Sequence, residues 1–127
     1  MLPADTDTLR GVARAILVAD DNRSFAELLR ATLEEEGYEV ITASTGLAAV
    51  AAVEQNDVGL AVLDVLMPGI SGDAVAARLR RIDPTLHVLL MTGSSEDFAA
   101  GSGWPILRKP FPQDALVAEV RRLIAEP

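Results

Sequence analysis

A chain of 127 residues, 50% of them hydrophobic, is long enough to bury one substantial core and too short for two ordinary domains. Its 19 acidic and 11 basic side chains leave a net charge of -8, so phosphate backbones would repel it and direct nucleic-acid binding is not expected. Without cysteine it has no disulfide, thiolate metal site or cysteine nucleophile, and its polar opening followed by the short run AILVA is neither a signal-peptide core nor a membrane span.

Short runs rich in Val, Ile and Leu alternate with longer segments at helical spacing, the pattern of repeated βαβ units and a parallel sheet covered on both faces. The first strand is predicted over residues 15–19. Phe25, Leu28, Leu29, Thr32 and Leu33 then recur at helical intervals, Ser24 and Glu27 have capping-box spacing, and Gly37 supplies a left-handed stop. A second strand over 38–43 leads to an alanine-rich helix over 45–55, closed by Asn56 and Asp57. Residues 58–63 are almost wholly apolar, as a strand buried on both faces requires, and run directly into Asp64 and the loop VLMPGISG. A third helix over 73–81 stops at Asp83 before Pro84, and a fourth strand over 86–91 ends at Thr92. From 93 to 103 the sequence GSSEDFAAGSG supports little more than one helical turn, so the element expected there is shortened or irregular. A brief fifth strand over 105–107 precedes a last helix opened by Pro112, with Leu116, Val117, Val120, Leu123 and Ile124 on its inner side.

Ligands of an open parallel α/β sheet gather beyond the carboxyl ends of its strands. The first strand delivers Asp20 and Asp21 there, the third Asp64, the fourth Thr92 and the last Lys109. Carboxylates within a few ångströms of one another repel by roughly 1 to 4 kcal/mol per pair near a surface, which a divalent cation relieves. Oxygen ligands without His or Cys favour magnesium, which also takes phosphate oxygens as ligands. Lys109 would neutralise a phosphoryl oxygen, the Thr92 hydroxyl would donate to another, and the loop after Asp64 offers backbone amides. Asp64 is then the natural nucleophile toward phosphorus, with catalysis by positioning and charge neutralisation.

Four motifs in order, ILVADDN (16–22), AVLDVLMPGISG (61–72), the threonine of LLMTGSS (89–95) and LRKPF (107–111), resemble the receiver domains of two-component response regulators and hybrid histidine kinases. The resemblance covers nearly the whole chain. It implies a doubly wound, flavodoxin-like α/β fold with five parallel strands in the order 2-1-3-4-5, as one receiver domain over 14–126 behind a flexible N-terminal extension over 1–13. By the same resemblance Asp64 is the phosphoacceptor, Asp20, Asp21 and Asp64 with the backbone carbonyl of Leu66 hold Mg2+, and Thr92 and Lys109 sense the phosphoryl group. The implied partner is a sensor histidine kinase or histidine phosphotransfer protein, the setting cytoplasmic without membrane attachment. The chain is expected either as a stand-alone regulator or as the receiver of a hybrid kinase. It departs from the family at Ile106, where many receivers carry an aromatic switch three residues before the lysine; Trp104 lies two residues earlier.

Singly, each residue has an ordinary structural reading. Asp20 and Asp21 suit a helix cap, Asp64 a turn after a buried strand, Thr92 a turn before Gly93, and Lys109 a solvated surface. His87, Met67, Met91 and Trp104 read as structural or packing residues, and the pairs Arg80-Arg81 and Arg121-Arg122 as solvated faces complementing helix dipoles. Joint placement at strand ends is what points to a site. The expected role is that of a phosphoacceptor assisting its own phosphotransfer and dephosphorylation, not an enzyme with a separate substrate. Two alternatives stand beside it: an aspartyl-phosphate phosphatase, against which Leu66 occupies the position of the usual second aspartate, and a phosphorylation-independent docking scaffold.

Overall fold

A computed structural model describes residues 14–93 and 103–126. The expected extension over 1–13 and most of the stretch between the fourth and fifth predicted strands lie outside them. Five strands, β1 (Ala15–Ala19), β2 (Val40–Ala43), β3 (Val58–Asp64), β4 (His87–Thr92) and β5 (Ile106–Arg108), form one parallel sheet in the order β2-β1-β3-β4-β5. Four helices accompany them among the described residues: α1 (Arg23–Glu35), α2 (Gly46–Gln55), α3 (Gly72–Ile82) and α4 (Gln113–Ala125). The topology is the doubly wound one expected from the motifs.

Strand alternation divides the core in two. Leu17, Ala61, Leu63, Val88 and Leu90 face Ala49, Val53, Val75 and Leu79 of α2 and α3. Ile16, Val18, Leu60, Val62, Leu89 and Met91 face Ala26, Leu29 and Leu33 of α1 and Leu116, Val120 and Leu123 of α4. A strand covered on both faces has no position for a polar side chain, which is why its first carboxylate comes only at its end. Each of the buried Val, Leu, Ile and Met side chains among these contributes about 1.5 to 3 kcal/mol relative to exposure, and each alanine less.

Local chemistry sets the helix ends, and here the structure corrects the capping expectation. Asn22, not Ser24, caps α1: its backbone is extended and its side chain accepts from the Phe25 N–H at 3.1 Å, while Ser24 is already helical. The C-terminus of α1 is a Schellman stop, with Gly37 at φ +96°, its N–H on Glu34 O at 3.0 Å and the Tyr38 N–H on Leu33 O at 3.2 Å. Committing Tyr38 to that stop explains why β2 begins at Val40 rather than at 38. Thr45 caps α2 through the Ala48 N–H at 3.0 Å. Pro112, expected as the first helical residue of α4, sits instead at its N-cap in extended conformation.

The structural residues largely fall as expected. Met67 and Met91 are buried, His87 opens β4 half-buried, and Ile106 is half-buried on β5. Arg80 departs from the solvated-face reading. Its Nε donates to Leu86 O at 2.5 Å and its guanidinium stacks on Trp104, 4.9 Å from the ring centroid, so it ties the residue before β4 to the segment leading into β5. Arg121 pairs with Glu36, and Arg122 with Glu119 at 2.8 Å and Glu126 at 3.0 Å. No described helix is long and apolar enough to cross a membrane.

Candidate functional site

The register of the sheet assembles the polar residues. Ala19 pairs with Leu63, so the next residues, Asp20 and Asp64, leave adjacent strands at one level. Asp64 pairs in turn with Met91, and Thr92 with Arg108, which brings Thr92 and Lys109 to the same end. The Lys109 N–H donates to Thr92 O at 2.7 Å, continuing the ladder past β5.

Each buried acid has one oxygen committed to the backbone and one turned toward the lysine. Asp20, 1% exposed, accepts the Asn22 N–H on Oδ1 at 2.9 Å and the Lys109 ammonium on Oδ2 at 2.9 Å. Asp64, 6% exposed, accepts the Leu66 N–H on Oδ1 at 3.3 Å, and its Oδ2 lies 3.6 Å from Lys109 Nζ. Asp21 is exposed and completes the cluster: one carboxylate oxygen from each of the three acids lies within 4.8 Å of the others. Among the described residues it is the only such group of potential metal ligands.

Three clustered carboxylates, two of them in reach of one ammonium, leave excess negative charge at a partly desolvated point. Burial, and next the charge of Asp20, raise the Asp64 pKa above the ordinary carboxylate value, while Lys109 and the Leu66 N–H act in the opposite sense. The donor set consists only of hard oxygens, and the unneutralised charge calls for a cation; both fit a divalent ion of the magnesium class. A helix cap does not account for Asp20 and Asp21, because Asn22 performs that task.

The loop after Asp64 is held by close packing. A Cβ on Gly72 would lie 2.3 Å from Asp64 O, so only glycine lets the start of α3 dock against the strand end, where the Gly72 N–H meets Val65 O at 2.8 Å. Gly69 takes φ +89° to turn the loop, and Leu66 stands 55% exposed beside the acids.

All the predicted side chains are therefore brought to one end of the sheet, with Leu66 on the loop beside them. Phe25 was missed: it reads as one apolar position in a helical repeat, but the Lys109 Nζ lies over its ring, 4.6 Å from the centroid. The available signal was its place in the first turn of α1, from which side chains lean back toward the helix N-terminus and so toward the strand ends.

This arrangement defines a class. Residues 16–121 match the family model of the response regulator receiver domain, and the chain belongs to that family. The transcriptional regulatory protein TcrA of Mycobacterium tuberculosis is 43% identical over 113 residues, which cover 85% of this chain and 45% of TcrA. The alkaline phosphatase synthesis transcriptional regulatory protein PhoP of Bacillus subtilis is 34% identical over 116 residues, covering 87% of this chain and 48% of PhoP. The chain thus spans a little under half the length of either regulator. The crystal structure of the response regulator TrrA from Thermotoga maritima in complex with Mg(2+)-BeF is similar at a TM-score of 0.79 and 36% identity, covering 87% of this chain and 98% of that one.

Proposed function

We propose that this receiver domain accepts a phosphoryl group on Asp64, from the phosphohistidine of a sensor kinase or histidine phosphotransfer protein, in a Mg2+-dependent step of two-component signalling. The observation that carries the reading is the juxtaposition at Asp64: a carboxylate oxygen not taken by the backbone, 3.6 Å from an ammonium and inside a three-carboxylate cluster. The similarity to TrrA, whose structure holds Mg(2+)-BeF, supports it.

Asp20, Asp21 and Asp64, with the Leu66 carbonyl, would hold the magnesium, which when bound supplies charge neutralisation and an anchor for a phosphoryl oxygen. The chain's own residues do the rest. An Asp64 oxygen forms the new O–P bond as the donor's N–P bond breaks, the imidazole nitrogen keeps the electron pair, and an acyl phosphate results. Lys109 leaves Asp20 to neutralise a phosphoryl oxygen, and the Thr92 hydroxyl donates to another. The added charge of about -2 then changes the surface presented to a downstream partner. No separate substrate is turned over, so the protein acts as a phosphoacceptor that assists its own transfer and dephosphorylation, in the cytoplasm.

Acetyl phosphate with Mg2+ should add one phosphoryl group to the wild type, read by intact mass, and none to Asp64→Asn. Equal labelling of the two proteins would overturn the assignment of Asp64.

A further inference from the structure

Phe25 stands in the first turn of α1, where the helical repeat asks only for an apolar side chain. Its ring instead lies beneath the Lys109 ammonium, 4.6 Å from centroid to Nζ, within the roughly 6 Å range of a cation–π contact. Phe111, two residues beyond Lys109, braces that ring edge-on, with centroids 5.9 Å apart and planes at 68°. The ammonium therefore has Asp20 Oδ2 at 2.9 Å, Asp64 Oδ2 at 3.6 Å and an aromatic face as its third neighbour.

The third neighbour matters because the other two are unequal. Lysine carries its charge on a flexible four-carbon stem, and its side chain here is 23% exposed. Without a support on the remaining side, the nearer carboxylate and solvent set the position of the ammonium. The negative face of the ring gives it an attractive floor that an aliphatic side chain lacks.

We propose that Phe25 is a positioning residue for phosphoryl transfer, its ring face holding the Lys109 ammonium between Asp20 and Asp64 so that it meets the phosphoryl oxygens as they arrive. The inference rests on the reading of Asp64 as phosphoacceptor and adds a role for an aromatic residue outside the acidic cluster. Phe25→Leu keeps an apolar side chain and removes the quadrupole; Phe25→Tyr keeps the ring face.

Lys109 is the only lysine in the chain, so its ε-methylene protons give a single lysine signal. In the metal-free wild type that NMR signal should lie upfield of a free lysine because of the ring current. It should return toward the free position in Phe25→Leu and stay upfield in Phe25→Tyr. Uptake from acetyl phosphate with Mg2+ should slow about threefold to tenfold in Phe25→Leu and recover most of its rate in Phe25→Tyr; Phe25→Leu, which also loses the edge contact with Phe111, should melt a few degrees lower and Phe25→Tyr close to the wild type. A wild-type rate in Phe25→Leu would overturn the positioning role alone. Equal slowing of both variants, with matching loss of thermal stability, would overturn it in favour of plain packing. A wild type with the upfield signal but no phosphoryl uptake would instead sink the Asp64 reading, and the transfer role with it, leaving only the contact.

Discussion

The two ends of the sheet each place one cation between two aspartates, with opposite results. At the amino end, Arg14 reaches Asp57 at 3.1 Å and Asp83 at 3.3 Å, tying together the residues just before β1 and β3 and the C-cap of α3. At the carboxyl end, Lys109 reaches Asp20 at 2.9 Å and Asp64 at 3.6 Å. The lower cluster is wet: the Arg14 and Asp57 side chains are 37% and 68% exposed, against 1% and 8% for Asp20 and Asp64. Asp83 also accepts the Thr85 hydroxyl and N–H, which with Arg14 lower its pKa, whereas burial and the neighbouring Asp20 raise that of Asp64. Similar residues thus form a satisfied surface clasp at one end and an unsatisfied site at the other. What separates them is solvent, spare hydrogen-bond donors and the third acid, Asp21.

Four experiments test that contrast, from the largest expected effect to the smallest. Gly72→Ala puts a methyl group against the Asp64 carbonyl and should destabilise the protein by about 3 kcal/mol in urea unfolding, because both sides of the clash are backbone. At the lower cluster a Cβ on Gly59 would meet the Arg14 side chain, 2.9 Å from its Cβ, so there a side chain rather than backbone would have to give. Mg2+ should bind the upper cluster and raise stability by about 2.7 kcal/mol at a hundred times its dissociation constant, an increment absent from Asp20→Asn/Asp64→Asn and intact in Asp57→Asn.

The third is a pH profile of the metal-free protein. Because Asp64 holds its proton longer folded than unfolded, stability should fall as pH rises from the ordinary carboxylate value of 3.8 through the raised folded value, a slope lost in Asp64→Asn. Asp83 acts with the other sign. Its contribution is present above 3.8 and is lost as pH falls through the lowered folded value, so Asp83→Asn should flatten the acid limb of the profile. Urea midpoints measured across the acidic range would show both, and a common direction would break the comparison. The smallest effect is expected from Arg14→Gln, at most about 1 kcal/mol and reduced further by salt, since its partners are solvated.

Several features of the site were legible because they follow from period and position alone. A run such as Val58–Asp64 that turns polar only at its last residue announces a buried strand with a carboxylate at its rim, and parallel topology gathers such rims at one end. The N-cap of α1 was misplaced because Ser24 with Glu27 and Asn22 offer the same capping chemistry two residues apart, and only the backbone conformation at Asn22 chooses between them. Arg80 looked like a dipole-complementing surface charge, since nothing local reveals that Leu86 O and Trp104 lie within its reach.

By itself, then, the sequence determined the parallel α/β architecture, the strand-end acids Asp20, Asp21 and Asp64, and Thr92 and Lys109 beside them, because these depend on local hydrophobic period and on which residue follows each strand. Only the tertiary structure decided that Asp20 holds the lysine more closely than Asp64, that burial and Asp20 raise the Asp64 pKa, that Gly72 must be glycine, and that Phe25 lies under the ammonium. Those depend on distances between residues far apart in the chain and on how much water remains between them, quantities that come into being only when the strands are in register and the helices have closed over them.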